Sequence, residues 1–242
     1  PLLFKSLEAC LAACRQKGCD DWRAWAIDLP CQAGGAPKRF IAASLESFAL
    51  AYCDQVLPAD RHAYEIIDAR RPCRPYFDLE FTPSEHPDLN GDELTSLLVA
   101  EAHRLVRTAL RDSFPADLEC DPVVLDCHRA AKFSRHVILH LRSRDVPTSS
   151  DAEPVKDDSA SRAALLHRQA RDILFPSAQA CGRLAKALAT HEGLSQIIDM
   201  TVYSQNRGFR LLGSSKGGAS PSPPLEASQK WGAWPHSSVD QH

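Results

Sequence analysis

An α+β fold (mixed α/β), with helices packed on a mixed sheet, is what this sequence predicts. Three observations carry that expectation. Six short runs, at 22–29, 39–43, 63–68, 75–81, 123–127 and 135–141, are rich in aromatic and branched residues and end near turn formers. Between them lie stretches with apolar residues at helical spacing, clearest over about 92–113. The 242 residues, 44% hydrophobic and 24% charged, have the make-up of a globular chain long enough for a sizeable core.

Taken in order, Phe4, Leu7, Leu11 and Cys14 repeat on one helical face, and Gly18 ends it. Residues 22–29 read as a strand stopped by Pro30. Gly34, Gly35 and Pro37 mark a turn into the strand at 39–43. Ser44 is placed to cap a helix carrying Leu45, Phe48, Tyr52 and Val56. The strands at 63–68 and 75–81 follow. Asn90, Gly91 and Asp92 open the long helix, whose buried side is expected to hold Leu94, Leu97, Leu98, Leu105, Ala109 and Leu110. Strands at 123–127 and 135–141 are expected side by side. Residues 145–160 are polar and acidic with two prolines, a loop composition. Helical patterns follow at 161–174 and 178–190, while 197–203 and 209–212 read as extended. From Gly213 onward Gly, Ser and Pro dominate, so the tail is expected to be disordered. These signals divide the chain into a helix and connector (1–35), a small α/β module (36–71), a larger module with the chemistry (72–216) and a tail (217–242).

Composition narrows the function. No apolar run approaches the ~20 residues of a bilayer crossing, so no membrane partner is expected. The sequence begins with Pro1, not Met, which reads as a fragment or an incomplete gene model, and it shows no signal peptide. Nine cysteines, an odd count without a Cys-x-x-Cys or a compact Cys/His cluster, read as reduced thiols rather than a zinc site. A net charge of −3 excludes a generally basic nucleic-acid binder. Charge is uneven, however: residues 129–144 hold Arg129, Lys132, Arg135, Arg142 and Arg144 and no acid. Such a local patch suits phosphate.

Three stretches carry the chemistry. In a strand at 75–81, side chains alternate, so Phe77, Leu79 and Phe81 share one face and Tyr76, Asp78 and Glu80 the other. The apolar face fixes the register, and the two carboxylates then stand about 7 Å apart at Cα, pointing the same way. That spacing suits ligands of a metal pair. Lys132, Ser134 and His136 repeat the alternation, with Val137, Leu139 and Leu141 opposite. A hydroxyl, an imidazole and an ammonium can hold phosphate oxygens. Asp199 closes the apolar pair Ile197 and Ile198, and Arg207, Arg210 and Lys216 follow. Arginine grips phosphate through two parallel hydrogen bonds, lysine as a point charge. Each stretch alone also reads as a solvated strand or a basic surface hairpin. No Walker-type loop and no Gly-x-Ser-x-Gly elbow occurs.

The order of these parts resembles the eukaryotic primase–polymerases of the archaeo-eukaryotic primase superfamily. The resemblance rests on Tyr76 to Phe81, Lys132 to His136, and Asp199 to Leu211 followed by Ser214, Ser215 and Lys216, and it extends more faintly to 34–44 and 64–67. It implies a two-module catalytic core with the acids on an RRM-like sheet. Asp78, Glu80 and Asp199 would be the catalytic metal ligands, with two manganese or magnesium ions. Lys132, Ser134, His136, Arg207, Arg210 and Lys216 would hold a triphosphate, Arg39 would add a nucleotide contact, and Tyr64 would pack near the sugar. The N-terminal helix would lie along the template. The implied activity is DNA-directed primase/polymerase, joining a dNTP or NTP to a primer 3′ hydroxyl in replication restart or damage-tolerant synthesis. Implied partners are single-stranded DNA template and primer, and a single-stranded-DNA-binding protein reached through a C-terminal region not in this sequence. A monomer is expected, in the nucleus, the mitochondrial matrix or both. Two departures stand out. Gly208 replaces the family's usual asparagine, and no zinc-binding module follows Asp199, so primer extension is expected over initiation. The alternatives are a catalytically idle nucleic-acid-binding relative, a metal-dependent nuclease, and a replicative primase small subunit, whose structural zinc cysteines are not apparent.

Overall fold

The computed structural model describes residues 1–30, 36–110, 118–129, 131–144, 170–217 and 223–231. The chain runs β1 (Leu2–Phe4), α1 (Leu7–Gln16), β2 (Trp22–Asp28), β3 (Lys38–Ser44), α2 (Leu45–Leu50) and β4 (Ala63–Ile66). It continues through β5 (Tyr76–Phe81), α3 (Gly91–Leu110), β6 (Leu118–Asp126), β7 (Phe133–Arg144), β8 (Ala170–Ile173), α4 (Ala178–Leu188), β9 (Gly208–Arg210) and β10 (Glu226–Ala227).

These strands form two sheets, ordered β1-β3-β2-β4-β9 and β10-β6-β7-β5, with β8 also paired to β7. The α+β class therefore stands, but the expected mixed sheet does not: every named pair among the described residues is antiparallel. The reason is topological. β5 and β6 run parallel with α3 crossing between them, but β7 inserts between the two and pairs antiparallel with each.

The first sheet joins residues expected to form two separate pieces, since β1 and β2 pair with β3 and β4. Ser6 caps α1 by accepting from the Ala9 amide (3.4 Å), so the helix starts at Leu7 and Phe4 joins a strand instead. Cys10, Leu11 and Cys14 then bury against Ala24, Ala26, Ala42 and Ile66. On the sheet's other face Trp25 stacks on Phe48 of α2 (3.9 Å, 6°), and Ser44 caps α2 as expected.

The second sheet lays Phe77, Leu79, Val137, Leu139 and Leu141 into the main core beneath α3 and α4. The buried stripe of α3 is Thr95, Leu98, Ala102 and Val106, flanked by the half-buried Leu94, Leu97, Leu105 and Leu110, whereas Ala109 is exposed. Three expectations change here. Of the helix expected at 161–174, residues 161–169 lie outside the described residues, as does the 145–160 loop, and Ala170–Ile173 pair with β7 as a strand. Residues 197–203 are not a strand: Ile198 makes one bridge to Leu79, and Met200–Tyr203 wind into a 3₁₀ turn. The tail is ordered at 223–231, because Leu225 supplies an apolar anchor. It is fully buried with Leu125 and Cys127, and its backbone bonds to Gly213 (2.7 Å) and Ser214 (3.0 Å). No described helix is long and apolar enough to cross a membrane.

Candidate active site

β5 positions the first two acids by alternation. Phe77, Leu79 and Phe81 enter the core, and Asp78 and Glu80 point the other way, opposite His136 and Ser134 of β7. β5 is the last strand of its sheet's path, and residues 197–199 run along its outer edge. The Glu80 amide donates to the Ile197 carbonyl (2.7 Å) and the Asp199 amide to the Asp78 carbonyl (2.9 Å). The third acid is thereby fixed beside the first two. Its carboxylate is oriented by Thr201, whose amide donates to Oδ1 (2.8 Å) and whose hydroxyl donates to Oδ2 (2.9 Å).

Lys132 directly precedes β7, and the other cations arrive with the first sheet. Asn206, at φ +54°, turns the chain after Asp199 back toward β4. β9 then pairs with β4, setting Arg210 opposite Tyr64 and Gly208 opposite Ile66. The seam between the sheets is a cleft of about 220 Å³ lined by Asp78, Glu80, Asp199, Tyr64, Lys132, His136, Arg207, Arg210 and Lys216. Two residues singled out in the sequence are not in its lining. Ser134 is buried on the Glu80 side of β7. Arg39 pairs with Ile27 and so lies on the sheet face away from Tyr64, while its neighbour Lys38 sits 3.8 Å from the Tyr64 ring. A wider groove, about 540 Å³, opens beyond Lys132 along the start of α3. Of its two acids, Asp88 and Asp92, the second is already held by Arg135 and Lys230 (both 2.9 Å), and the smaller cleft, with three acids facing arginines, is the better candidate for chemistry.

Electrostatics distinguish the acids. Burial, then the charges of Glu80 and Asp199, push the Asp78 carboxyl up to about 7. Its Oδ1 is buried and accepts no hydrogen bond among the described residues. His136 Nε2 lies 3.8 Å from it, yet the two are not an ion pair. Burial, then Arg210 and Lys216, hold the imidazole down to about 3, and its ring stacks on Phe209 (4.1 Å). Glu80 is engaged by Lys132 and Asp199 by Thr201. Accordingly, no group of three or more His, Cys, Asp or Glu side chains is already gathered for a metal among the described residues. The donor set is nonetheless all oxygen, and the unsatisfied Asp78 Oδ1 fits a hard divalent cation.

Sequence reasoning missed Arg135, which looks like part of the basic patch. Its side chain lies on the core face with Val137 and Leu139 and is 3% exposed. Nε donates to Asp126 (2.6 Å), and Nη1 to Asp92 (2.9 Å) and Thr95 (3.0 Å). Burial would raise the Asp126 carboxyl, but hydrogen bonds from His128, Arg135 and Ser228 outweigh it and hold the group far below its usual range. The available signal was parity: a base at a core position of an alternating strand demands a buried partner. Thr201 was also missed, although an acid two residues before a threonine is a capping spacing.

The site is therefore a cleft of acids facing arginines on an α+β frame. No family model matches the chain. Curated relatives do. It is 26% identical over 204 residues to the "DNA-directed primase/polymerase protein" of Bos taurus, covering 64% of this chain and 36% of that protein. It is 35% identical over 81 residues to the protein of that name from Homo sapiens (33% and 14% covered) and 29% over 179 residues to that of Danio rerio (64% and 32%). The similarity is to primase/polymerases, which bears out the resemblance carried by the three motifs. The chain spans about a third of the length of the longest-matching curated relatives.

Proposed function

We propose that this chain is a DNA-directed primase/polymerase that adds a dNTP or NTP to a primer 3′ hydroxyl on a single-stranded DNA template. The observation that carries this reading is the bond from the Asp199 amide to the Asp78 carbonyl (2.9 Å), which sets the third acid beside the first two and across from the arginines. The names of the curated relatives support it.

Asp78, Glu80 and Asp199 would hold two divalent ions, manganese or magnesium, which supply Lewis acidity to the attacking hydroxyl and the leaving pyrophosphate. Glu80 must exchange Lys132 to take part, which frees that ammonium for phosphate. Arg207 and Arg210 fork onto phosphate oxygens, and Lys132 and Lys216 add point charge. His136, being neutral, offers a ring nitrogen without adding charge. Tyr64 packs against the sugar, and Ser134 supports the wall below Glu80. The residues thus position the triphosphate and stabilise its charge, as phosphoryl transfer requires. The cellular setting we propose is replication restart or damage-tolerant synthesis, by a monomer in the nucleus or the mitochondrial matrix.

Primer extension with manganese tests the reading. Asp78→Ala or Asp199→Ala should cut extension by about 1000-fold or more while DNA binding persists. DNA binding with no extension even by wild type would leave a binding module. Shortening of the strand without added nucleotide would make it a nuclease.

A further inference from the structure

Behind the nucleotide wall of the cleft lies a carboxylate with no part in the scheme above. Asp28 ends β2, and its side chain is 5% exposed. Oδ2 accepts from the Tyr64 hydroxyl (2.8 Å) and from the Gly217 amide (3.0 Å), and Oδ1 pairs with the Lys38 ammonium. That ammonium also lies over the Tyr64 ring. Gly217 is required at its position, since a Cβ there would stand 2.7 Å from the Asp28 Cβ. A single buried acid therefore ties three remote pieces of chain together: the end of β2, Tyr64 of β4, and the segment after β9 that carries Lys216.

Tyr64 and Lys216 line the cleft, and Asp28 does not. An acid near a phosphate site would repel the ligand if its charge were bare. Lys38 balances it, so Asp28 can act as an anchor without an unfavourable field. Tyr64 has one hydroxyl, and the bond to Asp28 fixes the tilt of its ring. The Gly217 amide bond fixes the backbone next to Lys216.

Resting on the nucleotide-transfer reading, we propose that Asp28 is a positioning residue for the incoming nucleotide: it holds Tyr64 and the Lys216 backbone in the shape that receives it. Asp28 contacts neither nucleotide nor metal in this account. Its loss should weaken nucleotide binding and leave the reacting groups in place.

The test measures KM and kcat for a dNTP and an NTP in primer extension, Kd for dATP by calorimetric titration, and Tm. For Asp28→Ala, KM and Kd should rise about tenfold with kcat changed by less than about threefold, and dNTP/NTP preference should shift because Tyr64 is released. Asp28→Asn keeps an oxygen for Tyr64 or Gly217 and should recover most of the loss. With Tyr64→Phe the effects should be sub-additive, because both changes break the same bond. The proposal is overturned if Asp28→Ala leaves KM within about twofold of wild type, or if kcat and Tm fall together with no KM effect. Should Asp28→Ala not fold, Asp28→Ser, with its shorter and uncharged side chain, takes its place in the cycle with Tyr64→Phe, and strictly additive KM changes sink the idea. A wild-type protein that neither binds dATP nor extends primers brings down the functional reading itself; active wild type with indifferent variants brings down this inference alone.

Discussion

Asp78 is a charge placed where charge is unwelcome. Burial and two neighbouring acids raise its carboxyl to about 7, so the folded protein holds a proton there that the unfolded chain gives up near pH 4. The stability linked to that proton is present at low pH and is lost as pH rises through about 7. We predict that Asp78→Asn stabilises the cation-free protein at pH 8 by on the order of 1–3 kcal/mol, with little effect near pH 4. Thermal melts with and without manganese check this, and added manganese should reverse the ranking. At this scale the sequence was readable where alternation alone decides, as for Asp78, Glu80 and His136. Arg39, named from the resemblance alone, lies on the face away from Tyr64, and a strand's parity says which residues share a face but not which face meets Tyr64. That needs the register with β2 and β4, which puts Lys38 on the Tyr64 side.

β7 works on both faces. One carries Ser134 and His136 toward the acids, and the other carries Arg135, which braces α3 against β6 through Asp92 and Asp126. Removing a buried guanidinium leaves those carboxylates short of partners, so Arg135→Ala should cost about 3–5 kcal/mol by urea unfolding. The same bonds make an acid-side prediction. Hydrogen bonds from Lys230 and then Arg135 lower Asp92, and Asp126 is also depressed. Their contribution is present above the ordinary carboxylate range and is lost as pH falls below about 4. Unfolding between about pH 5 and 2 should therefore be shallower in Arg135→Ala than in wild type. Long elements such as β2, β7, α3 and α4 were legible because their periodicity repeats several times. β1, β8 and β10 were not, since two to four residues cannot display a period, while the extended run read at 209–212 caught Phe209 and Arg210 of β9. Residues 197–203 were misread for a related reason: Ile197 and Ile198 are buried by bonding along the β5 edge, a tertiary contact that imitates a strand's apolar pattern.

For the molecule as a whole, the segment at 223–231 closes the second sheet. Leu225 fills a pocket with Leu125 and Cys127, Ser228 donates to the Val124 carbonyl (2.9 Å), and the Pro223 carbonyl accepts from Arg210 (3.3 Å). Leu225→Ala should cost about 2–5 kcal/mol in urea and raise KM for nucleotide, because the Arg210 contact shares this segment. A composition of Ser, Pro and Gly signals disorder on average, but one leucine with a waiting pocket overrides it. The two-sheet plan was likewise hidden, because β9 joins the first sheet only after the chain has built the second. That late splice has a mechanical consequence. Asp199 is bolted to one sheet and Arg210 to the other, with Phe209 wedged between Tyr76 and His136 as the pivot. The arm linking them is a caliper: a small rocking of one sheet on the other widens or narrows the jaws, so trimming the pivot ring would slacken the grip without touching either jaw.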